Sequence, residues 1–248
     1  MVRLTLIQGD CLKVLPKLPD RSIDLVITDP PYNFEAFGGG FYDFEKGGRR
    51  YLLKAKEDGI TEFNPIPFLN LVEPKMKKVN LVVFCNKFLV HDYLDWAIKR
   101  NYHFDIHTLI KENPIPAKKN HFLHDTEYII VIRGPGAYFN NECKIFDYYR
   151  KWFMIKITKN KYHVAEKPVS LIEKYVAILS REGDTVLDCF LGSGTTMLAC
   201  MKLKRNCIGI EINPEYVEIA KKRLNWGSSL GNVEFRFYKE DEFKGVVG

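Results

Sequence analysis

The chain contains no apolar run long enough to span a bilayer, no Cys-x-x-Cys pair, no Gly-x-x-x-x-Gly-Lys-Ser/Thr sequence, no internal repeat and no Ser/Gly-rich linker. These absences argue against a transmembrane helix, a zinc or disulfide framework, a phosphate-cradling nucleotide hydrolase and a solenoid. Cys11, Cys85, Cys143, Cys189, Cys200 and Cys207 sit mostly inside apolar segments and read as buried free thiols. The stretch Met1-Val2-Arg3-Leu4-Thr5-Leu6-Ile7 is too short and too alternating for a signal peptide and reads as a strand, so a cytoplasmic protein is expected.

The chain has 248 residues, 46% of them apolar, enough for one sizeable core, and a single domain over residues 1–248 is expected. A formal charge of +6 suits a polyanionic partner without establishing one. Short apolar runs alternate with amphipathic stretches, the pattern of an α/β protein whose mostly parallel sheet is flanked by helices. Strands are expected at Val2–Ile7, Leu25–Thr28, Leu81–Cys85, Tyr128–Ile132, Thr185–Cys189 and Cys207–Glu211. Most are continuous β-branched runs, as strands buried on both faces are. Helices are expected at Pro67–Lys77, Lys87–Arg100, Pro168–Ser180, Thr195–Leu203 and Pro214–Leu224. Two segments break this rhythm. Asn33–Ile66 is rich in glycine and carries Arg49, Arg50, Lys54 and Lys56, and Gly134–Tyr162 is crowded with aromatic and basic residues, including Arg150 and Lys151.

Asp184 to Thr196 reads as a strand, a glycine turn (Gly192-Ser193-Gly194) and a helix start. Paired glycines allow a sharp turn and close backbone approach to a ligand, and Thr195 or Thr196 is placed to cap the helix. The following strand ends in Glu211, where an acid can accept from ribose hydroxyls. The third glycine of the dinucleotide fingerprint is missing, with Leu198 near that place, so the turn suits a nucleoside ligand without a pyrophosphate. Leu25-Val26-Ile27-Thr28-Asp29-Pro30-Pro31-Tyr32-Asn33 is a buried strand entering a rigid diproline corner, since proline cannot continue a central ladder.

Asp29-Pro30-Pro31-Tyr32 resembles the catalytic motif of amino-methylating DNA methyltransferases, and Phe190-Leu191-Gly192-Ser193-Gly194 resembles their cofactor motif. With the catalytic motif first, the order is similar to that of the permuted β class. His163 to Leu171 resembles the segment preceding the cofactor turn, Lys111 to Pro116 and Thr126 to Ile129 the middle motifs, and Gly9 to Leu12 the segment that contacts the cofactor's adenine. The resemblance implies a Rossmann-like, S-adenosylmethionine-dependent methyltransferase fold, three-layered, with one antiparallel strand near an edge of the sheet. It implies catalysis by Asp29, Pro30, Pro31 and Tyr32. Asp29 and a diproline carbonyl would each accept an amino hydrogen and gather the nitrogen's lone pair, while Tyr32 would stack on a base rotated out of the duplex. Contacts to S-adenosylmethionine are implied for Asp10, Cys11, Asp29, Lys167, Ser170, Asp188, Phe190, Gly192, Ser193, Gly194, Thr195, Glu211 and Ile212.

Adenine N6 is the favoured target and cytosine N4 the alternative, since many cytosine-N4 relatives carry serine where this chain has Asp29. Methylation at cytosine C5 is excluded for want of a Pro-Cys nucleophile. RNA and protein amino-methyltransferases commonly show the reverse motif order, and a non-catalytic nucleic-acid-binding module would not need Asp29, Tyr32, Gly192 and Gly194. No metal is expected: His121, His124 and Asp125 read as a solvated loop cluster. The aromatic stripe Tyr138, Phe139, Phe146, Tyr148, Tyr149, Trp152 and Phe153 reads mainly as packing. The family's usual target-recognition insertion is shortened here to about Gly134–Tyr162. Double-stranded DNA is therefore expected to meet the two irregular segments, through Arg49, Arg50, Lys54, Arg150 and Lys151, with a homodimer to help grip the duplex.

Overall fold

The structure, a computed structural model, describes residues 1–31, 63–114, 122–123, 125–156, 167–227 and 232–245. Strands β1 (Val2–Gln8), β2 (Leu25–Thr28), β3 (Asn80–Cys85), β4 (His103–Lys111), β5 (Thr126–Arg133), β6 (Trp152–Ile155), β7 (Thr185–Asp188), β8 (Asn206–Glu211) and β9 (Val233–Lys239) form one sheet. Its nine strands lie in the order β6-β4-β5-β3-β2-β7-β8-β1-β9. Only β5, third from one edge, runs against its neighbours, pairing antiparallel with both β3 and β4. Every other ladder among the described residues is parallel.

Helices α1 (Cys11–Val14), α2 (Pro65–Val72) and α3 (Val90–Lys99) cover one face of the sheet, and α4 (Val169–Leu179), α5 (Thr195–Lys202) and α6 (Pro214–Arg223) cover the other. Alternation along the central strands feeds both cores: Val26, Leu81 and Val83 join Phe68, Tyr93 and Trp96, while Leu25, Ile27, Val82 and Phe84 join Ile172, Val176 and Met197. Each large side chain removed from water in this way stabilises the fold by about 1.5–3 kcal/mol. Helix starts follow local chemistry. The side chains of Asn64 and Asn213 accept from the amides of Ile66 and Glu215, each just ahead of a proline at the first helical position.

Three strands lay outside the sequence expectation. β4 and β9 alternate polar with apolar residues (Glu234, Arg236 and Tyr238 against Val233, Phe235 and Phe237 in β9) and so lack the continuous apolar run of a doubly buried strand. β6 lies inside the supposedly irregular Gly134–Tyr162 segment, preceded by a 3-10 turn at Phe146–Tyr149. Two helices are shorter than expected. Pro74 has no N–H to continue α2, which gives way to a 3-10 turn at Glu73–Lys75, and α3 begins at Val90 rather than Lys87. The cysteines are free, and all but the half-buried Cys143 are buried.

Candidate active site

Because the strands around β2 run parallel, their carboxyl ends gather along one edge of the sheet. Thr28 finishes β2 with Asp29 next in the chain, and beside them β7 finishes at Asp188, β8 at Glu211 and β1 at Gln8. Thr28 is a hydroxyl in an otherwise apolar strand, and its partner explains it. Buried Thr28 Oγ1 donates to Asp188 Oδ1 at 3.0 Å, bracing the diproline corner against the glycine turn across 160 residues of chain. Asp188 Oδ1 also accepts from the Phe190 amide at 3.1 Å, and Oδ2 from Thr196 Oγ1 at 2.6 Å. Burial outweighs these hydrogen bonds and pushes the Asp188 carboxyl up to about 6.

The glycine turn divides its work. Gly192 has φ +55°, and a Cβ built there would meet nothing within 4 Å, so its missing side chain leaves a cradle open. Gly194 has φ +85°, and its Cβ would lie 3.1 Å from Ala220 Cβ, so this glycine lets α6 pack against the turn. Gly194 is also the N-cap of α5, without a side-chain cap. The expectation of a threonine cap is thus corrected: Thr196 turns inward to Asp188, and Thr195 Oγ1 accepts from Arg223 Nη1 at 2.9 Å. Ser193 Oγ accepts from the same Arg223 nitrogen at 2.9 Å. Phe190 packs edge-on against Phe63 and Phe68, with centroids 5.3 and 5.7 Å away.

Glu211 Oε2 accepts from the Gly192 amide at 2.7 Å and Oε1 from the Asn213 amide at 2.8 Å. Burial raises its carboxyl despite these bonds. Gln8 is in register with Glu211, which brings Asp10, two residues beyond, to the same end of the sheet. Asp10 caps α1 by accepting from the Leu12 amide at 2.9 Å, and Cys11 beneath it is a buried thiol pushed up to about 12 by burial. Ile212 is 63% exposed at the end of β8, an apolar surface beside the open turn. The open glycine, the acids from β1 and β8 and the apolar shelf fit a nucleoside with one charged, pyrophosphate-free arm.

Asp29 is half-buried, and Lys167 Nζ donates to its Oδ2 at 2.5 Å. Lys167, just ahead of α4, is buried over the Phe84 ring and lies 3.3 Å from Glu127 Oε2. Glu127 in turn meets Lys111 Nζ through Oε1 at 2.6 Å. The reversed strand makes this possible: β5 begins where β3 and β4 end, with Cys85 opposite Tyr128 and Leu109 opposite Glu127. Burial alone would lower the Lys167 ammonium, but Asp29 and Glu127 more than offset it and raise it. Burial would likewise raise Glu127, yet Lys167 and Lys111 hold it at about 2. Pro30 is buried, Pro31 half-buried and Ser170 exposed in the first turn of α4.

Tyr32, Arg49, Arg50, Lys54, His121 and His124 lie outside the described residues. Arg150 and Lys151 are not brought to the site. They precede β6 at its amino end, whereas Asp29 and Lys111 lie at the carboxyl ends. Arg150 pairs with Asp147 at 2.7 Å and stacks beside Phe146 and Trp152, and Lys151 pairs with Asp105. Sequence reasoning gave no individual role to Thr28, Glu127 or Arg223 and placed Thr196 only as a possible cap, although a lone hydroxyl in an apolar strand marks Thr28.

The chain matches the DNA methylase family of N6 and N4 methyltransferases over residues 23–222. It is 32% identical over 243 residues to the Type II methyltransferase M.HpaI of Haemophilus parainfluenzae, covering 89% of this chain and 74% of that protein. Among solved structures it aligns with the M1.HpyAVI–SAM complex at TM-score 0.66 and 26% identity, over 89% of this chain and 99% of the other. It also aligns with the PvuII DNA methyltransferase (cytosine-N4-specific) at TM-score 0.67 and 19% identity, over 89% and 87% of the two chains, a likeness of fold. An open glycine turn cross-braced to an Asp-Pro-Pro corner, on a sheet with one reversed strand, is thus found in a chain that belongs to the N6/N4 DNA methylase family.

Proposed function

We propose that this enzyme methylates adenine N6 in double-stranded DNA, using S-adenosylmethionine. The observation that carries the reading is the Thr28–Asp188 brace, which joins the Asp-Pro-Pro corner to the glycine turn at adjacent strand ends. When bound, S-adenosylmethionine supplies an electrophilic methyl group. Gly192, Ser193, Gly194 and Thr195 would form the turn that holds it, Glu211 and Asp10 would accept from its nucleoside, and Ile212 would offer an apolar surface. Ser170 and Lys167 would hold its charged arm, and Cys11, Asp188 and Phe190 would support the surrounding backbone.

The chain's own work on the base is positional. An aromatic amino group is a poor nucleophile because its lone pair is delocalised into the ring. Asp29 accepts one amino hydrogen and the Pro30 carbonyl the other, which draws the nitrogen toward tetrahedral geometry. Asp29 also stabilises the positive charge that develops on that nitrogen. Pro30 and Pro31 keep the acceptors stiff, and Tyr32 stacks on the extruded base. A carboxylate rather than serine at position 29 supports adenine, by analogy with amino-methylating relatives.

Incubating the enzyme with DNA and cofactor, digesting to nucleosides and weighing the products is expected to yield N6-methyladenine. N4-methylcytosine alone would reverse the choice of base. Asp29→Ala is expected to abolish turnover while cofactor binding stays measurable, and near-normal turnover would remove Asp29 from the chemistry.

A further inference from the structure

Lys167 carries a paradox for the reading above. If Asp29 must accept hydrogens from a base, a buried ammonium 2.5 Å from its Oδ2 competes for the same carboxylate. The competition is limited because Lys167 is shared. Glu127 stands on its other side at 3.3 Å and is itself anchored by Lys111 at 2.6 Å. The four groups, just after β2, just ahead of α4, in β5 and in β4, alternate in sign from Asp29 to Lys111. Buried ions persist only when each has a partner of this kind. The Phe84 ring, 5.2 Å from the ammonium, closes a further side.

We propose that Glu127 is a positioning residue for the catalytic carboxylate: anchored on Lys111, it holds the Lys167 ammonium, and through that ammonium it fixes Asp29 Oδ2 while leaving Asp29 able to accept from the base. The proposal rests on Asp29 being the catalytic acceptor. The reversal of β5 is what brings Glu127 there, since a strand running against β3 and β4 places its first residues at their carboxyl ends. Without Glu127, Lys167 keeps its ion pair with Asp29, so the ammonium closes on it and shifts with it. Asp29 then loses both its fixed direction and its acceptor strength. Cofactor contacts from β1, β8 and the glycine turn are untouched by that change.

The test compares Glu127→Gln with the unaltered enzyme, measuring kcat, the KM for DNA and cofactor affinity by calorimetry with S-adenosylmethionine. Misplacing a catalytic group by an ångström lowers turnover steeply, so kcat is expected to fall between about tenfold and a hundredfold while the KM for DNA stays within about twofold and cofactor affinity, to which Lys167 also contributes, falls by much less than kcat. An unchanged kcat, or a loss of cofactor affinity as large as the loss of kcat, overturns the proposal. If the glutamine variant does not bind cofactor because it does not fold, Glu127→Asp carries the same test. It keeps the charge at shorter reach and is expected to lower kcat with KM preserved, and a full kcat overturns the proposal. Asp29→Asn is run in parallel. If that variant remains active, the reading of Asp29 itself fails; if it is inactive while Glu127→Gln keeps full kcat, only the role of Glu127 fails.

Discussion

The carboxylate of Glu211 and the amide of Gly192 are joined by a 2.7 Å hydrogen bond, and the second oxygen of the same carboxylate accepts from the Asn213 amide at 2.8 Å. An acid expected only to face a ribose is therefore also the post that shapes the glycine turn proposed to carry the cofactor. Each oxygen has a further lone pair, so the two duties are compatible. Glu211→Ala removes both at once. Losing hydrogen bonds to a charged group weakens binding by about 1.5–3 kcal/mol, roughly ten- to hundredfold in affinity. Calorimetry on the variant checks this, and unchanged affinity would release Glu211 from the ribose.

The two glycines of the turn are expected to fail differently. Gly192→Ala places a methyl group in open space at φ +55° and should lower stability by only about 1 kcal/mol, while filling the cradle and blocking cofactor. Gly194→Ala meets Ala220 Cβ at 3.1 Å from a φ of +85°. Strain and overpacking add there, lowering stability by about 2–4 kcal/mol. Thermal melts beside cofactor titrations separate the cases, and equal stability losses in both variants would contradict the division of labour.

Asp188 makes stability depend on pH. Its folded-state value, pushed up to about 6 by burial, lies above the ordinary 3.8. The protonated acid favours folding below about pH 4, and that contribution is lost as pH rises through about 6, on the order of 3 kcal/mol at most. Asp188→Asn keeps an acceptor for Thr28 and the Phe190 amide without the charge. Relative to this variant, the unaltered protein is expected to lose stability between pH 4 and 6.5 in chemical denaturation. A flat difference across that range would show that Asp188 does not titrate there.

Most of the six central strands were legible because their apolar runs are continuous, and the two motifs were legible because a diproline corner and a glycine turn have few other uses. The edge strands β6 and β9, and β4 beside one edge, were not. In β4, His103, Asp105 and His107 interrupt the apolar residues, and a half-polar strand resembles a loop until its partner is known. At the site, the cap expected of Thr195 or Thr196 failed because Arg223, from a different helix, takes the first hydroxyl and Asp188 the second. The Lys167–Glu127 pair depends on the reversal of β5, and no local spacing encodes a strand's direction.

The same directional argument divides the cations expected to meet DNA. Arg150 and Lys151 precede β6, while Asp29, the proposed acceptor for the base, stands at the other end of the strands. Each already faces a carboxylate, and Arg150 also lies beside Phe146 and Trp152. Arg49 and Arg50 belong to the Asn33–Ile66 segment, which follows Pro31 and Tyr32 in the sequence. Phosphate contacts position a duplex without reading it, and each one adds about 0.9 to the slope of log affinity against log salt. Replacing Arg49 and Arg50 together with alanine is therefore expected to weaken DNA binding and flatten that slope by about 1.8, with cofactor affinity preserved. Replacing Arg150 and Lys151 should leave the slope alone. Fluorescence anisotropy of a labelled duplex over a range of potassium chloride concentrations measures both. If the second pair flattens the slope and the first does not, DNA lies along the β6 edge, and the Asn33–Ile66 segment serves some other purpose.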